Sequence, residues 1–337
     1  MDLLRDERSA LLALLGRFRG RQIVMLGDLV ADESIYGEIV RVSREAPVLI
    51  LKQREKQVAP GGGANAANNL ADLGAEVVLV GVVGEDEEGD ALLRYFRGKH
   101  VSTRHVVRVP HHLTPTKTRI LGGVTHWQRQ QIVRLDHEPS EPPPPAVRRK
   151  LRQSVLGLLG KSAGILVSDY GYKTTSPEEI ELLRRRLGPR RIPITVDSRF
   201  DLPLYKHFTA ATPNEPELEA VFGEAIGNDV ERLHRLGKRF LRRQDLEVLL
   251  VTRGRDGMAL FESRRPPRHI PIFGSDQAVD VTGAGDTVIA TFTLALAAGG
   301  SPLEAALLAN CAGGLVVMKR GTATVSLDQI TEVLRNL

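Results

Sequence analysis

The run DVTGAGDT, Asp280 to Thr287, sets two glycines, Gly283 and Gly285, at the start of an apolar helix. The unpaired N–H groups and the dipole of such a helix start attract anions. Asp286 puts a negative charge at the same place. Its simplest role is a helix cap, stabilising by ~1 kcal/mol. A chemical role joins both features. The amides of Gly283, Ala284 and Gly285 would hold a phosphoryl group as it moves. Asp286, one step along, would accept the proton of the attacking hydroxyl.

Other residues offer partners for that chemistry. Asn214 and Glu217 in TPNEPELE stand as N-x-x-E. They either organise Mg²⁺ through its waters around nucleotide phosphates or form the capping box of a helix. In PGGGANAANNLADLGA, Gly61, Gly62 and Gly63 let backbone approach a ligand closely. Asn65 has donors and an acceptor for sugar hydroxyls. The same run also reads as a tight turn into a packed helix. Asp28 and Asp32 in GDLVADESIYG could accept from further hydroxyls. There is no G-x-x-x-x-G-K-[ST], so no P-loop. GAGDTV is not G-x-G-x-x-G and lies late in the chain, which disfavours a dinucleotide site.

The elements that must position these residues alternate along the chain. RQIVMLGD, EVVLVGVVG, AGILVSD, RIPITVD and LEVLLVTRG read as strands, with helical stretches between them and two helices from about Asp286 and about Pro302. Such alternation predicts an α/β fold, a mostly parallel sheet covered by helices. Parallel sheets bind ligands at the carboxyl ends of their strands, where Asp28, Asp169, Asp197 and Gly254 fall. Residues 36–58 and roughly 105–135 are β-rich without helices between. They are expected to form a small β-sheet lid inserted in one unit spanning 1–337.

Bulk composition narrows the class. The 337 residues are 42% hydrophobic with one cysteine, Cys311, which excludes a disulfide framework and reads as a small core residue. A net charge of +5 is small against 46 basic and 41 acidic residues. The basic run Arg184 to Arg191 lacks interleaved aromatics, so no nucleic-acid partner is expected. No apolar run reaches the ~18 residues of a membrane span, and the N-terminus lacks a cleavage site. A cytoplasmic protein with no membrane partner is expected.

Taken in order, GDLVAD, PGGGANAANNLADLG, GVVGEDEEG, TPNEPE, VTRGRDG and DVTGAGDT resemble the ribokinase-like (PfkB) family of sugar kinases over nearly the whole chain. YGEIVRVSREAPVLIL, QQIVRLDHE and SDYG are most similar to its heptose-7-phosphate kinase branch. The resemblance implies a three-layer α/β/α core and transfer of the ATP γ-phosphoryl to a sugar hydroxyl. The implied acceptor is O1 of D-glycero-D-manno-heptose 7-phosphate. It also implies Mg²⁺, leaves open a K⁺ ion near Asp280, and implies a homodimer through the lid. Asp286 would be the base, with Gly283, Ala284 and Gly285 as the anion hole. Asp28, Asp32, Gly62, Gly63 and Asn65 would face the sugar. Asn214 and Glu217 would serve metal and phosphates, and Thr252, Gly254, Gly257 and Asn310 would lie near the nucleotide. A substrate phosphate needs cations, and Lys117, Arg119, Arg129, Arg134 and Arg199 are candidates. Glu33, Arg44, Gly63 and DYGYK depart from the branch pattern. Because the chain ends soon after GTATVS, any adenylylation is expected to fall to another protein. A kinase for another sugar or nucleoside, and a sugar- or nucleotide-sensing module without turnover, are the alternatives.

Overall fold

The computed structural model describes residues 2–123, 130–187, 192–275 and 277–337. Among the described residues thirteen strands form two sheets: β1 Gln22–Gly27, β2 Leu29–Val42, β3 Leu49–Gly62, β4 Glu76–Gly84, β5 Ser102–Val109, β6 Thr116–Gly123, β7 Gln130–His137, β8 Gly164–Asp169, β9 Ile194–Ser198, β10 Ala210–Ala211, β11 Val248–Thr252, β12 Met258–Glu262 and β13 Arg268–Ile270. The large sheet runs β13-β12-β11-β10-β9-β8-β1-β4-β5. It is parallel from β11 to β5, and at the other edge β12 runs antiparallel to both of its neighbours, β11 and β13.

Both faces of this sheet are buried, which explains the continuous apolar runs of its strands. Alternate residues of β1 point to opposite layers. Ile23 and Met25 pack with the helices Gly63–Asp72, Ala284–Ala297 and Pro302–Val316. Val24 and Leu26 pack with the helices Pro145–Leu158, Pro177–Leu187 and Val230–Gln244. The result is the helix-covered, mostly parallel sheet that the strand–helix alternation predicts, in the three-layer α/β/α form that the resemblance implies. The N-terminal helix Arg8–Leu15 buries Leu11, Leu14 and Leu15. A third late helix, Leu327–Arg335, follows the two expected ones. Cys311 is fully buried, and burial pushes its thiol up to about 12.

The second sheet is small, with order β3-β2-β6-β7. β2 pairs antiparallel with β3 and parallel with β6, and β6 pairs antiparallel with β7. Its strands differ from the expected lid in one place. Residues 105–109 lie in β5, the edge strand of the large sheet, paired to β4. Val109 is buried there in the core. Alternation marks a strand but not the sheet it joins, and the small sheet takes up the chain only from Thr116. Part of the expected lid, including Trp127 and Arg129, lies outside the described residues.

Candidate active site

The start of the helix Ala284–Ala297 is built by a glycine. Gly283 has φ +75°, and a Cβ there would stand 2.5 Å from Asn65 Nδ2. Only glycine gives this left-handed corner together with that close approach. The preceding loop is tied down by Asp280, whose carboxylate accepts from the amides of Thr282 (2.9 Å) and Gly321 (2.8 Å). Burial works to raise the Asp280 carboxyl, but these amides outweigh it and hold it below the ordinary value. Of the three amides expected to form an anion hole, that of Ala284 is taken, donating to the Val281 carbonyl at 3.2 Å. The amides of Gly283, Gly285 and Asp286 make no hydrogen bond among the described residues. Gly285 is exposed with nothing beside its Cβ position, so the turn opens outward.

Asp286 is 4% exposed and its carboxylate has two donors. Asn65 Nδ2 donates to Oδ2 at 2.8 Å, and the Tyr170 hydroxyl donates to Oδ1 at 2.9 Å. Asn65 is itself held by Asn69, whose side-chain amide donates to the Asn65 carbonyl at 3.0 Å, and Asn69 accepts from the Thr287 hydroxyl at 2.9 Å. Burial raises the Asp286 carboxyl to about 6, although the two donors and the Lys117 charge pull it down. Such a carboxylate is ionised near neutral pH yet basic enough to take a proton. Tyr170 stands at the end of β8 in SDYG, a stretch that sequence reasoning quoted without giving the tyrosine a task.

On one side of this helix start lies a cavity of about 400 Å³. Thr252, Gly254, Gly257 and Asn310, the residues expected near a nucleotide, line it together with Ala284 and Gly285 of the expected anion hole. Asn310 acts on the wall itself, its side-chain amide donating to the Pro271 carbonyl at 2.8 Å. The rest of the lining is largely apolar, with Met258, Ile272, Val281, Val288 and Val317.

Asn214 and Glu217 form a reciprocal capping box at the helix Glu215–Phe222. Glu217 N donates to Asn214 Oδ1 at 2.8 Å, and Asn214 N donates to Glu217 Oε2 at 2.9 Å. The capping reading of N-x-x-E is therefore present, and it leaves Glu217 Oε1 for another partner. The carboxylate of Asp197, which the sequence shows only as a strand-end acid, has no hydrogen-bond partner among the described residues. Burial raises its carboxyl well above the ordinary value, and the charges of Glu217 and Asp286 add to that. Burial raises Glu217 as well. The Arg199 charge works against that rise at Glu217. Two neighbouring carboxylates suit a hard divalent ion. No group of three or more His, Cys, Asp or Glu among the described residues could chelate one directly. The donor set thus fits Mg²⁺ that keeps its waters.

The other side of the helix start corrects several expectations. Asp28 does not face the cleft. Its buried carboxylate accepts from the amides of Tyr170 (2.7 Å), Tyr172 (3.1 Å) and Thr174 (3.3 Å), so it shapes the 170–174 loop. The space freed by Gly62 and Gly63 is filled by protein. A Cβ on Gly62 would meet Val30 and Tyr170, and one on Gly63 would stand 2.7 Å from the Asp28 carbonyl. Asp32 is ion-paired with Arg119 at 2.8 Å, and Arg134 Nε bonds Asp136 at 2.6 Å. Lys117 and Arg199 have no ion-pair partner among the described residues. Lys117 Nζ sits 5.0 Å from the centre of the Tyr170 ring. Burial, with the Arg199 charge nearby, lowers its ammonium. An acid at a strand end reads the same in sequence whether it binds a ligand or a loop, and that ambiguity produced the error at Asp28.

An α/β/α core with an acid at a glycine-built helix start beside an open cavity defines a phosphoryl-transfer type of site. Residues 21–140 and 174–330 match the family described as pfkB family carbohydrate kinase, and this chain belongs to that family. It is 37% identical over 325 residues to the "Bifunctional protein HldE" of Pelobacter propionicus and 39% identical over 329 residues to that of Geobacter metallireducens. Each comparison covers 96% of this chain, which spans 65% of the length of these relatives. Among solved structures, the Arabidopsis thaliana ribokinase complexed with ribose and ATP superposes with a TM-score of 0.70 at 22% identity, covering 94% of this chain and 99% of that one. The Escherichia coli phosphofructokinase-2 in complex with fructose-6-phosphate gives 0.74 at 18% identity, covering 95% and 99%. These two likenesses establish the fold. No helix among the described residues is long and apolar enough to cross a membrane.

Proposed function

We propose that this chain is an ATP-dependent sugar kinase that phosphorylates O1 of D-glycero-D-manno-heptose 7-phosphate. The observation that carries the reading is Asp286, a buried carboxylate of raised basicity held beside the unpaired amides of Gly283, Gly285 and its own residue. ATP would occupy the glycine-lined cavity, its γ-phosphoryl at the helix start. Asp286 takes the proton of the acceptor hydroxyl as that oxygen bonds to the γ-phosphorus. The bond from the γ-phosphorus to the β,γ-bridging oxygen breaks and ADP leaves with that electron pair. The open amides would meet the charge on the moving group. Asn214, Glu217 and Asp197 would hold Mg²⁺ through water, and the bound ion would offset phosphate charge.

Among the described residues, Lys117 and Arg199 are the candidate cations left for an acceptor phosphate, since Arg119 and Arg134 are neutralised within the protein. Asn65 already serves Asp286, so its sugar-binding role is limited to its remaining hydrogen-bonding capacity. A K⁺ ion near Asp280 is a further part of this reading. Its support is the phosphofructokinase-2 of Escherichia coli, solved in complex with potassium. Exposed Val40, Val42, Leu49, Ile132, Val133 and Leu135 on the small sheet support a homodimer through that sheet, to be checked by sedimentation. We read residues 1–337 as one kinase unit with the small sheet as its lid. The test of function is ADP release measured across sugars and sugar phosphates. Turnover confined to heptose 7-phosphate supports the reading, and turnover with another acceptor reassigns the substrate.

A further inference from the structure

The base is not held by its own helix alone. Tyr170 belongs to residues 141–173, the stretch between the two segments that match the family. Yet its hydroxyl reaches Asp286 Oδ1 at 2.9 Å. Its other parts are equally fixed. Its amide donates to Asp28 at 2.7 Å. Its ring edge lies where a side chain at position 62 would stand, 3.2 Å from a Cβ built on Gly62. Lys117, from β6 of the small sheet, rests 5.0 Å from the ring centre.

An ionised carboxylate only accepts hydrogen bonds, so the phenol is the donor. Burial and the Asp286 charge push the Tyr170 hydroxyl well above its ordinary value, which keeps it protonated. Each carboxylate oxygen can accept more than one hydrogen bond. One donor per oxygen therefore fixes the plane of the group and still leaves room for an incoming hydroxyl.

We propose that Tyr170 is a positioning residue for the base: with Asn65 it clamps the Asp286 carboxylate from both oxygens, aiming it at the acceptor hydroxyl. This rests on the kinase reading. The groups around Asp286 are Asn65 on the helix Gly63–Asp72, Tyr170 after β8, Asp32 on β2, Lys117 on β6 and Asp197 at the end of β9. Remove the phenol hydroxyl, and Asp32 and Asp197 still repel the carboxylate charge while one donor is gone. The base then becomes harder to ionise.

The test is the pH profile of kcat and kcat/KM for the wild type and Tyr170→Phe, with ATP and the acceptor that turns over best. Nucleotide binding is measured by calorimetry on the same samples. We expect kcat to fall ~10- to 100-fold, from the loss of one hydrogen bond to a charged group. The acidic limb should move up by about one pH unit, with ATP affinity within about two-fold because the change lies outside the cavity. Should Tyr170→Phe fail to fold, 3-fluorotyrosine incorporated at position 170 makes a stronger donor, and the acidic limb should move down. A wild type that turns over alongside a Tyr170 variant with unchanged kcat and unchanged limb overturns the proposal. A wild type with no turnover on any acceptor refutes the kinase reading instead, and the proposal falls with it.

Discussion

The two sides of the Ala284–Ala297 helix start are built from opposite materials. The cavity side is lined by glycine and apolar residues. The opposite side is dense with charges that already have protein partners, Asp28 with three amides, Asp32 with Arg119, and Arg134 with Asp136. The first is a shape formed in advance, and the second is a network in which a ligand must find the few members left over. That contrast predicts that mutations on the cavity side act through fit, while those on the charged side divide between catalysis and stability.

The largest effect should come from the group between them. Asp286→Asn should lower kcat by about 10²–10⁴-fold, the range for a lost general base, while ATP binding measured by calorimetry survives. Its stability has a definite sign. The folded carboxyl is raised to about 6 against an ordinary 3.8, so its burial destabilises the fold above about pH 6 and ceases to do so below 3.8. The Asn variant should therefore melt higher than wild type at pH 8, and the difference should shrink between pH 6 and 4. Next comes Gly283→Ala, which combines positive φ with a clash against Asn65. It should cost about 1–2 kcal/mol in denaturant melts and depress kcat by displacing Asn65.

Two lysine and arginine variants sharpen the comparison. Lys117→Met should raise KM about ten-fold for a phosphorylated acceptor and leave an unphosphorylated sugar nearly unchanged. Arg119→Met should act first on stability, because it strands buried Asp32 without its partner. If both variants alter KM alike, the division between free and neutralised cations is wrong. The smallest expected change is at Cys311. Its buried thiol, pushed up to about 12, should resist iodoacetamide in the native protein at pH 8, and mass spectrometry should find it unlabelled.

The same contrast explains what the sequence made legible. Thr252, Gly254, Gly257 and Asn310, expected near a nucleotide, come together around one cavity, because shape-forming positions need particular residue types. Gly257 has φ +78°, with a Cβ position 2.1 Å from the Ile270 carbonyl, and few residues other than glycine can satisfy that. Asp286 was legible for a related reason, as an acid next to two glycines at a helix start. On the charged side, partner choice depends on contacts distant in sequence. Asp28 meets Tyr170 across 142 positions, and Asn65 meets Asp286 across 221. No local spacing encodes those pairs. The edge strand β5 was assigned to the wrong sheet for the same reason, since alternation is local and sheet membership is not.

Strand β2 carries a consequence for motion. Its residues Leu29–Glu33 are buried, Ser34–Glu38 are partly covered and Arg41–Val42 are in solvent. One ribbon thus begins beneath the catalytic floor and ends in water. In the monomer, deuterium uptake along it should form a gradient, slow at the root and fast at the tip, and a homodimer through the small sheet should slow the tip. Fraying around Ser43–Val48 then costs little and leaves the buried root beside Gly62 and Tyr170 undisturbed.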